Sequence, residues 1–132
     1  MLRHITKETL PIVQEWFYER WGKGLANLPE IGLMATEDTD SNTDYKDKAA
    51  GFIYHDPTCN VGWIGWVVTN PENSLADTQY IDYLFRGLEM IAKKHGIKTL
   101  LYTTEKDSMG KLLENRGYQL GDTGVTHYIK QI

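Results

Sequence analysis

The side chains able to do chemistry are few and scattered along this chain. Cys59 is the single cysteine, and the four histidines are spread over the whole sequence: His4, His55, His95 and His127. A cysteine nucleophile needs a base beside it, and a zinc site needs three or four ligands at regular spacing. Neither pattern is present, so we predict no metal site and no thiol chemistry.

An alternating run of acidic and amide side chains is the nearest approach to a cation site. The run consists of Asp38, Asp40, Asn42 and Asp44. A calcium loop of this type requires glycine at its sixth position and glutamate at its twelfth, where this chain has Thr43 and Ala49. The run therefore favours a solvated hairpin tip.

Length, composition and charge narrow the class of protein. A chain of 132 residues and 15.2 kDa fits one domain, residues 1–132, with a real hydrophobic core. Its net charge of −4, with 14 lysines and arginines, argues against binding nucleic acid mainly through charge. No apolar run approaches the roughly 20 residues of a membrane helix, and the N-terminus lacks an apolar signal segment. We expect a cytoplasmic protein that does not bind membranes.

Apolar patterning predicts strands and helices in alternation. β-Branched and aromatic runs indicate strands at 2–5, 31–36, 49–55, 61–69, 99–104 and 125–132. Three- and four-residue apolar steps indicate three helices. The first starts at 6–9 and ends near 22–24, the second covers 80–95, and the third starts at Asp107 or Ser108 and stops at 116–117. The order β-α-β-β-β-α-β-α-β predicts an α/β (α+β) fold, with about six or seven strands in a mixed sheet and three to four helices. Short links around the central helix imply a parallel strand pair.

Three segments give this order a resemblance to a known family. Residues 62–71 are a long strand that ends in Asn-Pro, residues 91–98 leave a helix through Ala-x-x-x-Gly, and residues 112–118 end a helix in Gly-Tyr. Together they resemble the GNAT-type N-acetyltransferases over nearly the whole chain. The patterns at 28–32, 70–74 and 124–128 are similar to those of short GNAT-like proteins of tailed bacteriophages.

The resemblance implies transfer of an acyl group from acetyl-CoA to an amine, without a covalent enzyme intermediate. In this family two parallel strands separate, the pantetheine arm binds the freed strand edge, and the pyrophosphate binds at the next helix N-terminus. The implied cofactor contacts are Val67, Val68, Thr69, Asn73, Ser74, Leu75, Ala76, Asp77 and Thr78. By the same resemblance Glu37 is the candidate base. Because the family's usual acid is missing, the candidates to protonate the leaving thiolate are Tyr102, at the end of the strand beside the expected thioester, and Ser108.

The sequence departs from the family pattern at two places. The segment 74–79 contains neither the glycines nor the basic residue expected at a phosphate site, and Asp77 adds a negative charge there. Leu113 stands where the family often has tyrosine. These departures leave an alternative open, a non-catalytic GNAT-like module that binds a protein partner.

Aromatic residues are the candidates for that partner surface and for an acceptor groove. The alternative module would use an aromatic surface formed by Trp16, Tyr18, Tyr80 and Tyr83. Trp63 and Trp66 lie three apart, so on a regular strand they would point to opposite faces, with one in the core and the other free to line an acceptor groove. The acceptor amine would be a small molecule or a protein, and the alternatives for a partner are a second copy of the chain and another protein.

Overall fold

Five strands and three helices form the part of the chain described by the computed structural model, which comprises residues 1–24, 28–37, 46–72, 78–104, 107–126, 128, 130 and 132. The elements are β1 (Leu2–His4), α1 (Leu10–Trp21), β2 (Ile31–Glu37), β3 (Lys46–Asp56), β4 (Val61–Thr69), α2 (Thr78–Lys94), β5 (Thr99–Tyr102) and α3 (Asp107–Asn115). Among the described residues, no helix is both long and apolar enough to cross a membrane.

The strands form one mixed sheet in the order β1-β2-β3-β4-β5. The first three pairings are antiparallel; β1 and β2 are connected through α1, and β3 and β4 by the short turn at 57–60. β4 and β5 pair in parallel, with α2 as the crossover between them. The prediction of a mixed sheet with a parallel pair around the central helix is confirmed.

The helices cover the two faces of this sheet. On what we call the α1 face, Val13 and Phe17 pack against Met34, Phe52 and Val68. On the opposite α2 face, the buried side chains of α2 pack against those of β3 and β4, and Leu113 of α3 joins them. Each face thus has its own hydrophobic cluster, and the sheet separates them.

The ends of α2 and α3 follow one pattern. Gly96 and Gly117 have φ angles of 74° and 91°, in the left-handed region that glycine adopts without steric cost. The next amides bond back into each helix, Ile97 N–H to Ala92 O and Tyr118 N–H to Leu113 O, both at 3.0 Å. These turns place β5 and Tyr118 directly beside α2.

The prediction of a final strand at 125–132 is wrong for the residues that the structure describes. Val125, Thr126, Tyr128, Lys130 and Ile132 lie outside any strand and are exposed. The described sheet has five strands rather than six or seven. Alternating apolar residues supply strand propensity, but a strand forms only where a neighbouring backbone pairs with it.

Candidate functional site

A fork between β4 and β5 is the central feature of the candidate site. Four β4 residues pair with β5, from Val61 opposite Thr99 to Ile64 opposite Tyr102. β4 then continues for five more residues, Gly65–Thr69, which have no strand partner on the β5 side among the described residues. Unpaired backbone N–H and C=O groups are therefore available to a ligand along this edge.

A β-bulge lies just beyond the point where the two strands separate. Ala50 pairs with Val68 and Phe52 pairs with Gly65, so Trp66 and Val67 both lie opposite the single residue between them on β3. Trp66 has a φ of 54°, which is uncommon for an aromatic residue. A bulge bends and twists its strand, which is consistent with β4 leaving β5 here.

The bulge overturns the expected orientation of the two tryptophans. Trp66 makes edge contacts with Phe17 and Trp21, at centroid distances of 6.5 and 6.4 Å, and its indole N–H donates to the Tyr54 hydroxyl. Trp63 lies directly opposite Tyr54 and so shares its face. Both tryptophans are exposed on the α1 face, because the extra residue in the bulge shifts the alternation by one.

The predicted contacts on β4 hold their side chains away from the fork. Val68 is buried in the α1-face cluster, and Val67 packs against the α2-face cluster. Thr69 is engaged by Arg20, which donates to its carbonyl at 2.9 Å and to its Oγ1 at 2.6 Å. The backbone of Val67 and Val68 therefore remains the candidate contact, and Arg20 fixes the end of the strand.

Tyr102 lies at the vertex of the fork. It is the last residue of β5, opposite Ile64, and its ring packs edge-on against Phe85 at 5.2 Å between centroids. Burial raises the pKa of the Tyr102 hydroxyl above the ordinary tyrosine value of 10.0. The phenol therefore keeps its proton at neutral pH, which a general acid requires.

Glu37 lies at the end of the sheet where β4 also ends, but on β2, farther from the fork. β2 and β4 run in the same direction, so their last residues, Glu37 and Thr69, lie at the same end of the sheet. Two strand spacings separate β2 from β4, about 10 Å. The Glu37 carboxylate lies 3.4 Å from the Lys48 ammonium, so its nearest described charge is a lysine.

Lys48 is a candidate site residue that the sequence reasoning missed. Its carbonyl accepts the Asn70 N–H at 2.9 Å, which joins β3 to the end of β4. Its ammonium lies 5.3 Å from the ring centroid of Tyr80, in the first turn of α2. No local motif marks this lysine, because only the pairing of β3 with β4 carries it to the start of α2.

Asn70 shapes the chain as it leaves β4. Its side-chain amide donates to Asp47 O at 2.9 Å, and its Oδ1 accepts the Glu72 N–H at 3.0 Å. The second bond closes an Asx turn, for which asparagine before a proline is well suited. The Asn-Pro break that the sequence indicated is therefore a hydrogen-bonded turn at the end of β4.

A charged network braces α3 against α2. Arg116 forms paired 2.9 Å bonds with the Glu89 carboxylate and a third with Asp82, also 2.9 Å. The Tyr118 hydroxyl donates to Glu89 at 3.1 Å. Hydrogen bonding to Glu89 raises the pKa of Arg116, and burial followed by the charge of Glu89 raises that of Tyr118. The network fixes the C-terminal end of α3 against α2.

Part of the predicted site lies outside the described residues. This is true of Asn73, Ser74, Leu75, Ala76 and Asp77. Thr78 is the first residue of α2, and Ser108 is the second residue of α3. The structure describes the backbone of these two residues but not their side chains. Their predicted roles remain predictions.

The aromatic partner surface proposed for the alternative module is not present. Trp16 is 5% exposed and belongs to the α1-face cluster. Tyr80 and Tyr83 pack against the α2-face cluster, on the other side of the sheet from the exposed Tyr18. The four residues cannot form one surface, because they lie on opposite faces of the sheet. Helical spacing in the sequence does not show which face each helix covers, so the sequence could not reveal this.

Two surface hollows lie on the elements that flank the fork. A groove of about 530 Å³ runs along the outer side of β5, lined in part by 99–101 and 116–119. A hollow of about 300 Å³ lies on the first turns of α2. Within the described part of the chain, no group of three or more His, Cys, Asp or Glu side chains could hold a metal ion.

Comparison with solved structures places this fold. An acetyltransferase from Trypanosoma brucei superposes with a TM-score of 0.68 at 14% identity, covering 98% of this chain and 99% of that one. An aminoglycoside 6'-N-acetyltransferase from Acinetobacter haemolyticus gives 0.64 at 15% identity, covering 100% and 98%. A Mycobacterium tuberculosis protein in complex with CoA gives 0.64 at 13%, covering 96% and 76%.

The chain therefore has the GNAT acetyltransferase fold. No protein-family profile and no curated protein sequence matches it. The likeness is one of architecture, since sequence identity to these structures is low.

Proposed function

We propose that this protein is an acyl-CoA-dependent N-acyltransferase that uses acetyl-CoA and transfers its acetyl group directly to an amine. The observation that carries the proposal is the fork, where β4 leaves β5 after Ile64 and five residues of strand backbone follow. An extended ligand with amide groups, such as a pantetheine arm, can bond to that backbone as an added strand would. Solved structures with this architecture include acetyltransferases and a complex with CoA.

The donor would be held from strand edge to helix start. Val67 and Val68 supply backbone groups for the pantetheine arm, with Thr69 at the end of the strand. The pyrophosphate would lie at the N-terminus of α2, where unpaired N–H groups and the helix dipole favour an anion. In this proposal the segment from Asn73 to Thr78 would provide those groups, and the Lys48 ammonium, beside Tyr80, would add the positive charge that this segment lacks.

The chemistry needs one proton removed and one supplied. The amine nitrogen bonds to the thioester carbonyl carbon, the C–S bond breaks, and the electron pair leaves on sulfur. Tyr102 is placed at the vertex of the fork with its proton retained and would protonate the thiolate, with Ser108 as the other candidate. Glu37 pairs with Lys48 beyond the level of Thr69, so it would receive the amine proton only through a chain of water molecules from the vertex.

Titration calorimetry with acetyl-CoA and CoA tests the proposal. We expect saturable binding of both, and amide NMR shifts on titration confined to 65–69 and the start of α2, with the amides of β1 unchanged. Cys59→Ser should bind like the native protein, because Cys59 is exposed in the β3–β4 turn. If neither compound binds at millimolar concentration, the enzyme proposal fails and the non-catalytic module remains.

A further inference from the structure

An exposed aromatic surface on the α1 face has no role in the donor site. We call it the aromatic platform, and its members are Trp21, Tyr54, Trp63, Trp66 and Leu101. Each is between 38% and 46% exposed. Exposed apolar side chains mark a binding surface where they form one contiguous patch.

The platform is held in a defined arrangement. Tyr54, Trp63 and Leu101 are direct cross-strand neighbours on β3, β4 and β5 and form one row across the sheet. The Tyr54 ring lies over Gly65, where an added Cβ would come within 3.2 Å of it. The Trp66 indole N–H donates to the Tyr54 hydroxyl, so two of the rings are locked together.

The platform borders the fork from the side opposite the donor contacts. The Trp63–Leu101 pair comes one position before the Ile64–Tyr102 pair at which the strands separate. Trp66 belongs to the bulge itself. Lys48, Tyr80 and Tyr102 pack on the α2 side. A molecule on the platform would therefore reach the fork from one face while the donor occupies the other.

We infer that the aromatic platform binds the acceptor and selects an amine carried on a flat apolar body, such as an arylalkylamine. This inference rests on the proposed function and names its substrate class. Aromatic faces attract an ammonium group through their quadrupoles and stack on flat ligands, and Leu101 adds apolar area. The carboxylate next to the platform, Asp56, accepts bonds from the Thr58 N–H and hydroxyl, so it is engaged in its own turn. A polycationic or sugar amine would need further polar partners there.

Binding of phenethylamine, measured by calorimetry and tryptophan fluorescence without any cofactor, tests the inference. We expect saturable binding of phenethylamine, and much weaker binding of spermidine and glucosamine. Trp63→Ala should weaken phenethylamine binding about tenfold, as expected for the loss of one stacking and cation–π partner. Met90→Ala is the matched control, because Met90 is equally apolar and 57% exposed but lies on α2. Circular dichroism verifies that both variants fold.

Three results would overturn the inference. One is the absence of saturable phenethylamine binding, and another is binding that Trp63→Ala leaves unchanged. The third is a dimer, seen by sedimentation, that Trp63→Ala dissociates, since the platform would then be covered by a second copy. The donor titration separates the two proposals. If acetyl-CoA binds and phenethylamine does not, only this inference fails. If phenethylamine binds and acetyl-CoA does not, the proposed acetyl transfer fails and the amine site remains.

Discussion

The Lys48 ammonium lies 5.3 Å from the ring centroid of Tyr80, so a charge from β3 meets the first turn of α2. The same ammonium is 3.4 Å from Glu37, the last residue of β2. The helix start thus has a nearby cation, although segment 74–79 contains no basic residue.

Lys48→Met should weaken CoA binding about tenfold, the loss expected for a hydrogen bond to a charged group. Methionine keeps the apolar stem over Tyr80 and removes the charge. Calorimetry should show this loss for CoA and acetyl-CoA but not for acetyl-pantetheine, which lacks the pyrophosphate. An equal loss for acetyl-pantetheine would instead place Lys48 at the strand edge.

Tyr102→Phe should lower kcat by about 100-fold and leave KM nearly unchanged, as expected for removal of a general acid. Phenylalanine preserves the packing against Phe85, so the fold is retained. Steady-state rates with acetyl-CoA and phenethylamine measure the effect. Because the pKa of Tyr102 is raised, the native rate should not fall through loss of this proton until the pH exceeds the ordinary tyrosine value of 10.0. An unchanged kcat would assign the protonation step to Ser108 or to water.

Folding stability should decline at alkaline pH through Tyr118. Its pKa is raised in the folded protein, so the unfolded chain loses this proton first as pH rises above about 10. The stabilisation is present below that pH and is lost above it. Urea unfolding at pH 8 and pH 10.5 measures the difference, which should be smaller in Tyr118→Phe. That variant should also be about 1 kcal/mol less stable at pH 8, because it loses the bond to Glu89.

Gly51→Ala should destabilise the protein by about 1–3 kcal/mol through overpacking beside the bulge. An added Cβ would lie 3.2 Å from Leu88 and 3.3 Å from both Leu84 and Val67. Gly110→Ala is the matched control, since nothing lies within 4 Å of its Cβ position in α3. It should stabilise the helix by about 0.5–1 kcal/mol. Thermal unfolding compares the two, and equal effects would mean that the bulge tolerates the extra atom.

Local pattern alone determined most of the elements. β4 spans Val61–Thr69 as predicted, and α2 and α3 lie within two residues of their predicted bounds. Periodic burial and glycine stops are properties of short segments, so the sequence expresses them directly. The mixed sheet with its parallel pair around α2 followed from the element order.

Only the tertiary structure decided which side chains meet. The bulge that turns Trp66 onto the face of Trp63 depends on how β4 pairs with β3, and Lys48 reaches Tyr80 only because β3 lies beside β4. The segment after Gly124 has strand-like alternation, but its described residues have no strand partner. Register, bulges and partner choice arise from contacts between distant segments, and no local run of residues contains that information.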